Sequence, residues 1–193
     1  MTTIVFATGN PNKVREVNEI LGDQFTIKSL KDIGHLDDIP ETSPTLEGNA
    51  LLKARFVKDN YGMDCFSEDT GLEIDALEGE PGVLTARYAG EQKSNADNIA
   101  KVLKNMTGQS NRNAQFRTVI ALILNGNEHL FEGICRGTIR TEKSGEGGFG
   151  YDPIFEPEGR GLTFAEMDKA AKNEISHRGK AIQKMIAFLK CQS

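Results

Sequence analysis

The chain has 193 residues, with 28 acidic side chains against 23 basic ones and a formal charge of −5 at pH 7. At 38% hydrophobic and 26% charged residues it has the balance of a globular protein long enough to bury its own core, and residues 1–193 read as one domain. A mildly acidic chain without a long Lys/Arg block lacks the footprint for binding nucleic-acid polymers or anionic membranes; its longest apolar run, 119–124, is too short to span a bilayer.

The first residues show no basic stretch followed by a long apolar run and a cleavage site, so the expected location is the cytoplasm. Cys65, Cys135 and Cys191 are odd in number and widely spaced, which predicts reduced thiols, neither a disulfide framework nor a zinc site.

Residues 3–7 form a short apolar run typical of a buried strand, and Val14, Val17, Ile20 and Leu21 then recur at helical spacing up to Gly22. A second helical stripe carries Leu46, Ala50, Ala54 and Val57 and closes at Asn60-Tyr61-Gly62. Residues 63–67 and 72–77 read as strands on either side of a turn at Glu68-Asp69-Thr70-Gly71. Ser94 with Asp97 opens a helix through Val102, Leu103 and Met106. Residues 116–124 and 129–139 are strands joined across Asn125-Gly126-Asn127, a strong hairpin signal. Thr163-Phe164-Ala165-Glu166 has the form of a capping box, and the last helix carries Ile182, Met185, Ile186 and Leu189 on one face. The order β-α-α-β-β-α-β-β-α-α predicts an α/β domain with a mixed sheet.

Two helix starts break the charge rule. Asn10 is a good cap and Pro11 a good first residue, but the third helical position is Lys13, where the helix dipole disfavours a cation by about 0.3–1 kcal/mol. Thr8-Gly9-Asn10-Pro11-Asn12-Lys13 therefore reads either as an anion site built from amides, a hydroxyl and a charge, or as a helix start whose lysine reaches water. At Ser176-His177-Arg178-Gly179 two potentially cationic residues open another helix, with Lys172 shortly before, and His177 alone also fits a structural role.

Glu68 and Asp69 suit a hard divalent cation such as Mg²⁺, which takes one or two carboxylates plus substrate phosphates, and Glu41 could add an oxygen. Lys53 lies on the apolar side of its helix, so it either snorkels or reaches a buried anion. Gly145-Glu146-Gly147-Gly148-Phe149-Gly150 has Gly-x-Gly-x-x-Gly spacing but comes late and runs into Tyr151-Asp152-Pro153, which excludes a dinucleotide fingerprint. Phe149, Tyr151 and Asp152 fit a base-binding loop, or an ordinary turn with core aromatics.

Together these segments, with Glu47-Gly48-Asn49-Ala50-Leu51-Leu52-Lys53-Ala54 and Ala86-Arg87-Tyr88-Ala89-Gly90, stand in the order of a known family. The chain resembles the inosine/xanthosine triphosphate pyrophosphatases over nearly its whole length. The resemblance implies a two-lobed single domain around an elongated mixed sheet, a homodimer, and Mg²⁺-dependent hydrolysis of non-standard purine nucleoside triphosphates (ITP, dITP, XTP) to monophosphate and pyrophosphate. It implies that Thr8, Gly9, Asn10, Pro11, Asn12, Lys13 and Lys53 hold the triphosphate and that Asp69 is general base and metal ligand. Glu41 is implied as a second metal ligand, with Glu68 as the other candidate. Thr70 is implied to touch substrate, while Phe149, Gly150, Tyr151 and Asp152 line the base pocket and Lys172, His177 and Arg178 read or clamp the base, Arg178 near O6. Leu84-Thr85 stands where the family would have Tyr-Ser. The rival readings are a nucleotide pyrophosphatase of different base preference and a non-catalytic nucleotide-sensing module.

Overall fold

The computed structural model describes residues 3–22 and 25–192. Its strands are β1 (Thr3–Phe6), β2 (Thr26–Ser29), β3 (Cys65–Ile74), β4 (Pro81–Gly82), β5 (Asn113–Leu124), β6 (Asn127–Ile139) and β7 (Phe155–Pro157). Its α-helices are α1 (Pro11–Leu21), α2 (Leu46–Tyr61), α3 (Asn95–Asn105), α4 (Lys169–Ile175) and α5 (His177–Cys191). Among the described residues the strands make one mixed sheet in the order β2-β1-β3-β5-β6-β7, with β4 paired to β3. β1 is parallel to β2 and to β3, whereas β3/β4 and β6/β7 are antiparallel. Parallel neighbours need long crossovers, and α1 lies on the connection from β1 to β2 as α2 lies on that from β2 to β3. Among the described residues no helix is long and apolar enough to cross a membrane.

The chain divides into two compact units: Met1–Asp69, Thr118–Gly133 and Arg178–Ser193 form the first, and Thr70–Arg117 with Ile134–His177 the second. The first unit buries Ile4 and Phe6 of β1, Val17 and Leu21 of α1, Phe66 of β3, Ile120 and Leu122 of β5, and Ile182, Met185 and Leu189 of α5 in one cluster. Phe6 and Phe66 stack with ring centroids 4.5 Å apart, and each such fully buried side chain contributes about 1.5–3 kcal/mol. In the second unit Leu72, Ile74, Ile99, Val102, Met106, Phe116, Phe155 and Phe164 make a separate core. Of the cysteines, Cys65 and Cys135 are buried, Cys191 is exposed, and all three are free thiols. Burial pushes the Cys65 thiol up to about 12, outside the range of a reactive thiolate.

Three expectations change. The break at Glu68-Asp69 does not occur, since β3 runs unbroken from Cys65 to Ile74 and both carboxylates lie in mid-strand; their charges are matched by buried cations, so the strand has no need to deliver them to solvent. Thr163-Phe164-Ala165-Glu166 caps no helix: the Glu166 carboxylate accepts from Thr163 N–H at 2.8 Å and from the Ser144 hydroxyl at 2.7 Å. Glu166 thus closes a turn and ties it to the glycine-rich segment, and α4 starts later, at Lys169, capped by Asp168, whose side chain accepts from Ala171 N–H. β2, β4 and β7 are additional to the expected order; they are only 4, 2 and 3 residues long. The hairpin matches its expectation: Asn125 and Gly126 are both at positive φ, 51° and 81°, as a two-residue turn between β5 and β6 requires.

Candidate active site

In the first unit, β1 ends in the loop that enters α1. Asn10 Oδ1 accepts from Asn12 N–H at 3.0 Å and Lys13 N–H at 3.4 Å, while Thr8 Oγ1 accepts from Asn10 N–H at 3.2 Å. The cap forms as expected, with no acidic side chain in the first turn. The unfavourable placement of Lys13 is offset across the fold: its Nζ stands 3.1 Å from Glu68 Oε1. A cavity of about 660 Å³ opens beside this loop, lined by Thr8, Gly9 and Pro11 with residues of α1 and of the segment after β2. Lys13, Lys53 and Asp69 do not line it, so the charged centre lies elsewhere.

The pleat of β3 sorts its side chains, because successive residues point to opposite faces. Cys65 Sγ donates to Ala54 O at 3.1 Å, Ser67 Oγ to Ala50 O, and Asp69 faces Lys53, so the odd-numbered residues all meet α2. Ala50 and Ala54, both fully buried, let strand and helix approach closely. Phe66 and Glu68 take the other face, Phe66 within the core shared with α5 and Glu68 against α5's Arg178.

Glu68 is 1% exposed, and its carboxylate receives Arg178 Nε and Nη2, both at 2.8 Å, with Lys13 beside it. Arg178 Nη1 donates to Glu16. Burial alone would raise the Glu68 pKa, but Arg178 and Lys13 outweigh it and hold the carboxyl far below the usual range. Burial works likewise against the Arg178 charge, and Glu68 and Glu16 more than restore it. The oxygens a metal would use on Glu68 are thus given to a guanidinium and an ammonium.

Asp69 behaves oppositely. Burial raises its pKa, Lys53 and Lys13 offset this only in part, and the neighbouring Glu41 raises it further. Its Oδ1 is 3.7 Å from Lys53 Nζ, and its buried Oδ2 has no hydrogen-bond partner among the described residues. The Asn49 amide works to lower the same pKa, although Nδ2 and Oδ2 do not meet in a hydrogen bond of normal geometry. Lys53, 6% exposed, pairs with Glu41, donates to Glu68 O at 2.8 Å and stands 3.7 Å from the buried Asp69, so of its two sequence readings it reaches a buried anion. Thr70 follows Asp69 on β3, at the start of the second unit.

The second unit gathers another set. Asp152 Oδ2 accepts from Lys172 Nζ at 2.7 Å and from Phe149 N–H at 2.8 Å, with Asp152 and Lys172 3% and 5% exposed. Lys172 Nζ lies 5.2 Å from the Phe149 ring centroid and 5.5 Å from that of Phe164. The His177 ring stacks on Phe116 at 4.5 Å with 16° between planes. Gly150 sits between Phe149 and the buried Tyr151, whose hydroxyl donates to Thr85 O at 2.7 Å. Thr85 Oγ1 in turn donates to Gly82 O and accepts from Leu72 N–H, so the hydroxyl is what this position needs, whether Thr or Ser carries it.

Lys172 therefore stands with Phe149 and Asp152, and His177 with Phe116 and Phe164. Arg178, one residue further on, is turned by the helix to Glu68 and Glu16 in the first unit. Sequence reasoning missed Glu16, Asn49 and Phe116. Asn49 left a signal, since it lies four residues before Lys53 and so on the same buried stripe of α2.

Residues 4–188 match the Ham1 family model. The chain is 54% identical over 186 residues to a dITP/XTP pyrophosphatase of Flavobacterium johnsoniae, covering 96% of this chain and 97% of that protein. It is 51% identical to the one of Porphyromonas gingivalis, with 99% of each covered. Among solved structures, the Ham1 protein of Staphylococcus aureus superposes with a TM-score of 0.89 at 37% identity over the full length of both chains. A HAM1 protein from Coxiella burnetii gives 0.90 at 38% identity, with 98% of this chain and 99% of that one covered. A fold shared at this level over whole chains, with a family match spanning nearly every described element, leaves one assignment: the chain belongs to the Ham1 family.

Proposed function

We propose that this protein hydrolyses non-standard purine nucleoside triphosphates such as dITP, ITP and XTP to the monophosphate and pyrophosphate. The observation that carries the reading is Asp69, a buried carboxylate with one oxygen unpartnered, its pKa raised by desolvation, set between Lys53 and Lys13. Such a group is poised to take a proton from water and to accept further partners.

In the first unit, the loop of residues 8–13, with the ammonium groups of Lys13 and Lys53, holds the phosphates. The ion pairs here join four carboxylates, Glu16, Glu41, Glu68 and Asp69, to three cations, Lys13, Lys53 and Arg178, so this set carries one net negative charge, a sign unfavourable to a triphosphate. A divalent cation reverses that sign. Asp69, with its orphaned Oδ2, and Glu41 are hard oxygen donors that fit Mg²⁺. Bound there, the ion would polarise phosphate oxygens and neutralise charge. Asp69 accepts the proton of the attacking water, and Glu68 stays ionised to anchor Arg178 and Lys13.

The second unit supplies recognition of the base. Phe149 offers a ring for stacking, Asp152 an acceptor for a ring N–H, and Lys172 and His177 donors toward a 6-oxo group. Adenine presents the reverse pattern at these positions, and a buried donor left facing an amino group costs specificity heavily. The reading includes a homodimer in the cytoplasm, which light scattering and cell fractionation test. Its decisive test is a panel of ITP, dITP, XTP, GTP and ATP with and without Mg²⁺, products resolved by chromatography. Mg²⁺-dependent release of pyrophosphate from the first three, with little from ATP, is expected. Binding without turnover makes the protein a nucleotide sensor, and release of inorganic phosphate moves the cleavage to another bond.

A further inference from the structure

Asn49 is 0% exposed on the α2 face that meets β3. Its Oδ1 accepts from Ser43 N–H at 2.8 Å. That bond fixes which end of the amide is oxygen and turns Nδ2 the other way, since the two ends are otherwise interchangeable in shape. Nδ2 is buried and makes no hydrogen bond of normal geometry among the described residues, and neither does the buried Oδ2 of neighbouring Asp69, although the Asn49 amide acts on that carboxyl and lowers its pKa. Nearly all buried polar atoms in folded proteins find a partner. A donor and an acceptor both left open, on adjacent side chains facing one another from helix and strand, mark a place where function overrides local stability.

We propose that Asn49 is a positioning residue for the reaction: its amide N–H group serves Asp69 Oδ2 and sets the orientation of that carboxylate, while its carbonyl holds the segment that carries Glu41. The proposal rests on the reading of Asp69 as general base. It divides the two ends of one side chain between two tasks. The Ser43 bond belongs to the segment between Glu41 and the helix cap Thr45, whose Oγ1 accepts from Gly48 N–H at 3.1 Å. The Lys53–Glu41 pair lies one helical turn further along α2. Asn49 thus stands between the two carboxylates assigned to the reacting centre and touches the support of both.

The two tasks separate by substitution. Asn49→Asp keeps an oxygen for Ser43 N–H and removes the donor, whereas Asn49→Leu keeps the volume and removes both. Each is expected to lower kcat on dITP by about tenfold to a hundredfold, the loss typical of a hydrogen bond to a charged group. Affinity of Asn49→Leu for a non-hydrolysable α,β-methylene analogue of dITP should stay near that of the unaltered protein. Unchanged kcat in Asn49→Asp overturns the proposal, because a residue that only holds the loop needs only its oxygen. A loss confined to analogue affinity overturns it as well. If Asn49→Leu does not fold, Asn49→Asp carries the test. NMR reads the contact without turnover: the Asn49 side-chain ¹⁵N–¹H₂ signals should shift in Asp69→Asn, and signals that stay in place overturn the proposal. Inactivity of the unaltered protein on dITP would count against the functional reading alone and leave that NMR result to decide on Asn49.

Discussion

Replacing Arg178 by alanine should destabilise the protein more than any loss of substrate contact would suggest. The guanidinium is 2% exposed and bonds Glu68, itself 1% exposed, through Nε and Nη2 while Nη1 reaches Glu16. Removing one partner of a buried ion pair costs about 3–5 kcal/mol, and here Lys13 stays beside Glu68 and holds the loss toward the lower end. At about 2–4 °C per kcal/mol for a chain of this size, the midpoint should fall by roughly 6–20 °C at pH 7. In the unaltered protein the Glu68 pKa is depressed, so its stabilisation is present above the unfolded value of about 4.5 and is lost as pH falls below it. In Arg178→Ala burial raises the same pKa, so the penalty is present at neutral pH and relieved as Glu68 takes up a proton. Both changes shrink the gap between the two proteins toward acid pH. Thermal melts from pH 4 to 8 measure that gap, and Arg178→Ala combined with Glu68→Leu should recover part of the loss. A midpoint equal to that of the unaltered protein at pH 7, or a gap independent of pH, would refute the reasoning. Kinetics on dITP and ATP complete the test: equal fractional losses fit a guanidinium that supports Glu68 and Lys13, and a loss confined to dITP returns Arg178 to the base, near O6.

Asp69→Asn should retain the fold, by an unchanged circular dichroism spectrum, and lose pyrophosphate release almost completely, because the amide can neither take the water's proton nor hold a cation well. Lys172→Met leaves Asp152 buried with its cation gone, which should cost about 3–5 kcal/mol in a denaturant titration and narrow the preference for dITP over ATP. Gly148 is at φ +70° and a Cβ there would lie 1.9 Å from Asp152 Oδ2. Gly148→Ala should therefore strain the turn by about 1–3 kcal/mol, displace the carboxylate and raise KM for dITP, all read from a melt and a steady-state curve.

Where sequence reading succeeded, a local rule and the tertiary structure agreed. The Asn10-Pro11 helix start, the Asn125-Gly126 turn and the apolar stripe of α5 each follow from chemistry within a few residues. It failed where a distant partner changed the balance. Glu68-Asp69-Thr70-Gly71 has the composition of a turn, and Arg178, 110 positions away, together with Lys13 makes burial of Glu68 in a strand tolerable. Thr163 and Glu166 have the spacing of a helix cap and do make one of its hydrogen bonds, yet Ser144 claims the same carboxylate for a loop. Lys13 shows both sides of this: its conflict with the helix dipole was visible in the chain, but Glu68 as the compensating group was not. Phe116 reads only as a core aromatic on a strand, and its stacking under His177 depends on where α5 begins.

The adjacency of Glu68 and Asp69 acquires its meaning from the strand that holds them. Two neighbouring carboxylates in a turn would share one environment and repel each other, and the proton of one would depend on the charge of the other. In an extended strand the pleat sends them to opposite faces, Glu68 to Arg178 and Lys13, Asp69 to the buried face of α2. Their pKa values then move apart, one far down under two cations and the other up through burial only partly offset. That separation assigns the labour: the ion that must never change charge is locked by a bidentate pair, and the group that must exchange a proton keeps an oxygen open. Combining Glu68→Asp with Asp69→Glu, which exchanges the two residues, would lengthen the side chain facing Lys53 and shorten the one reaching Arg178, so both the anchor and the base would be lost although the composition of the pair is unchanged.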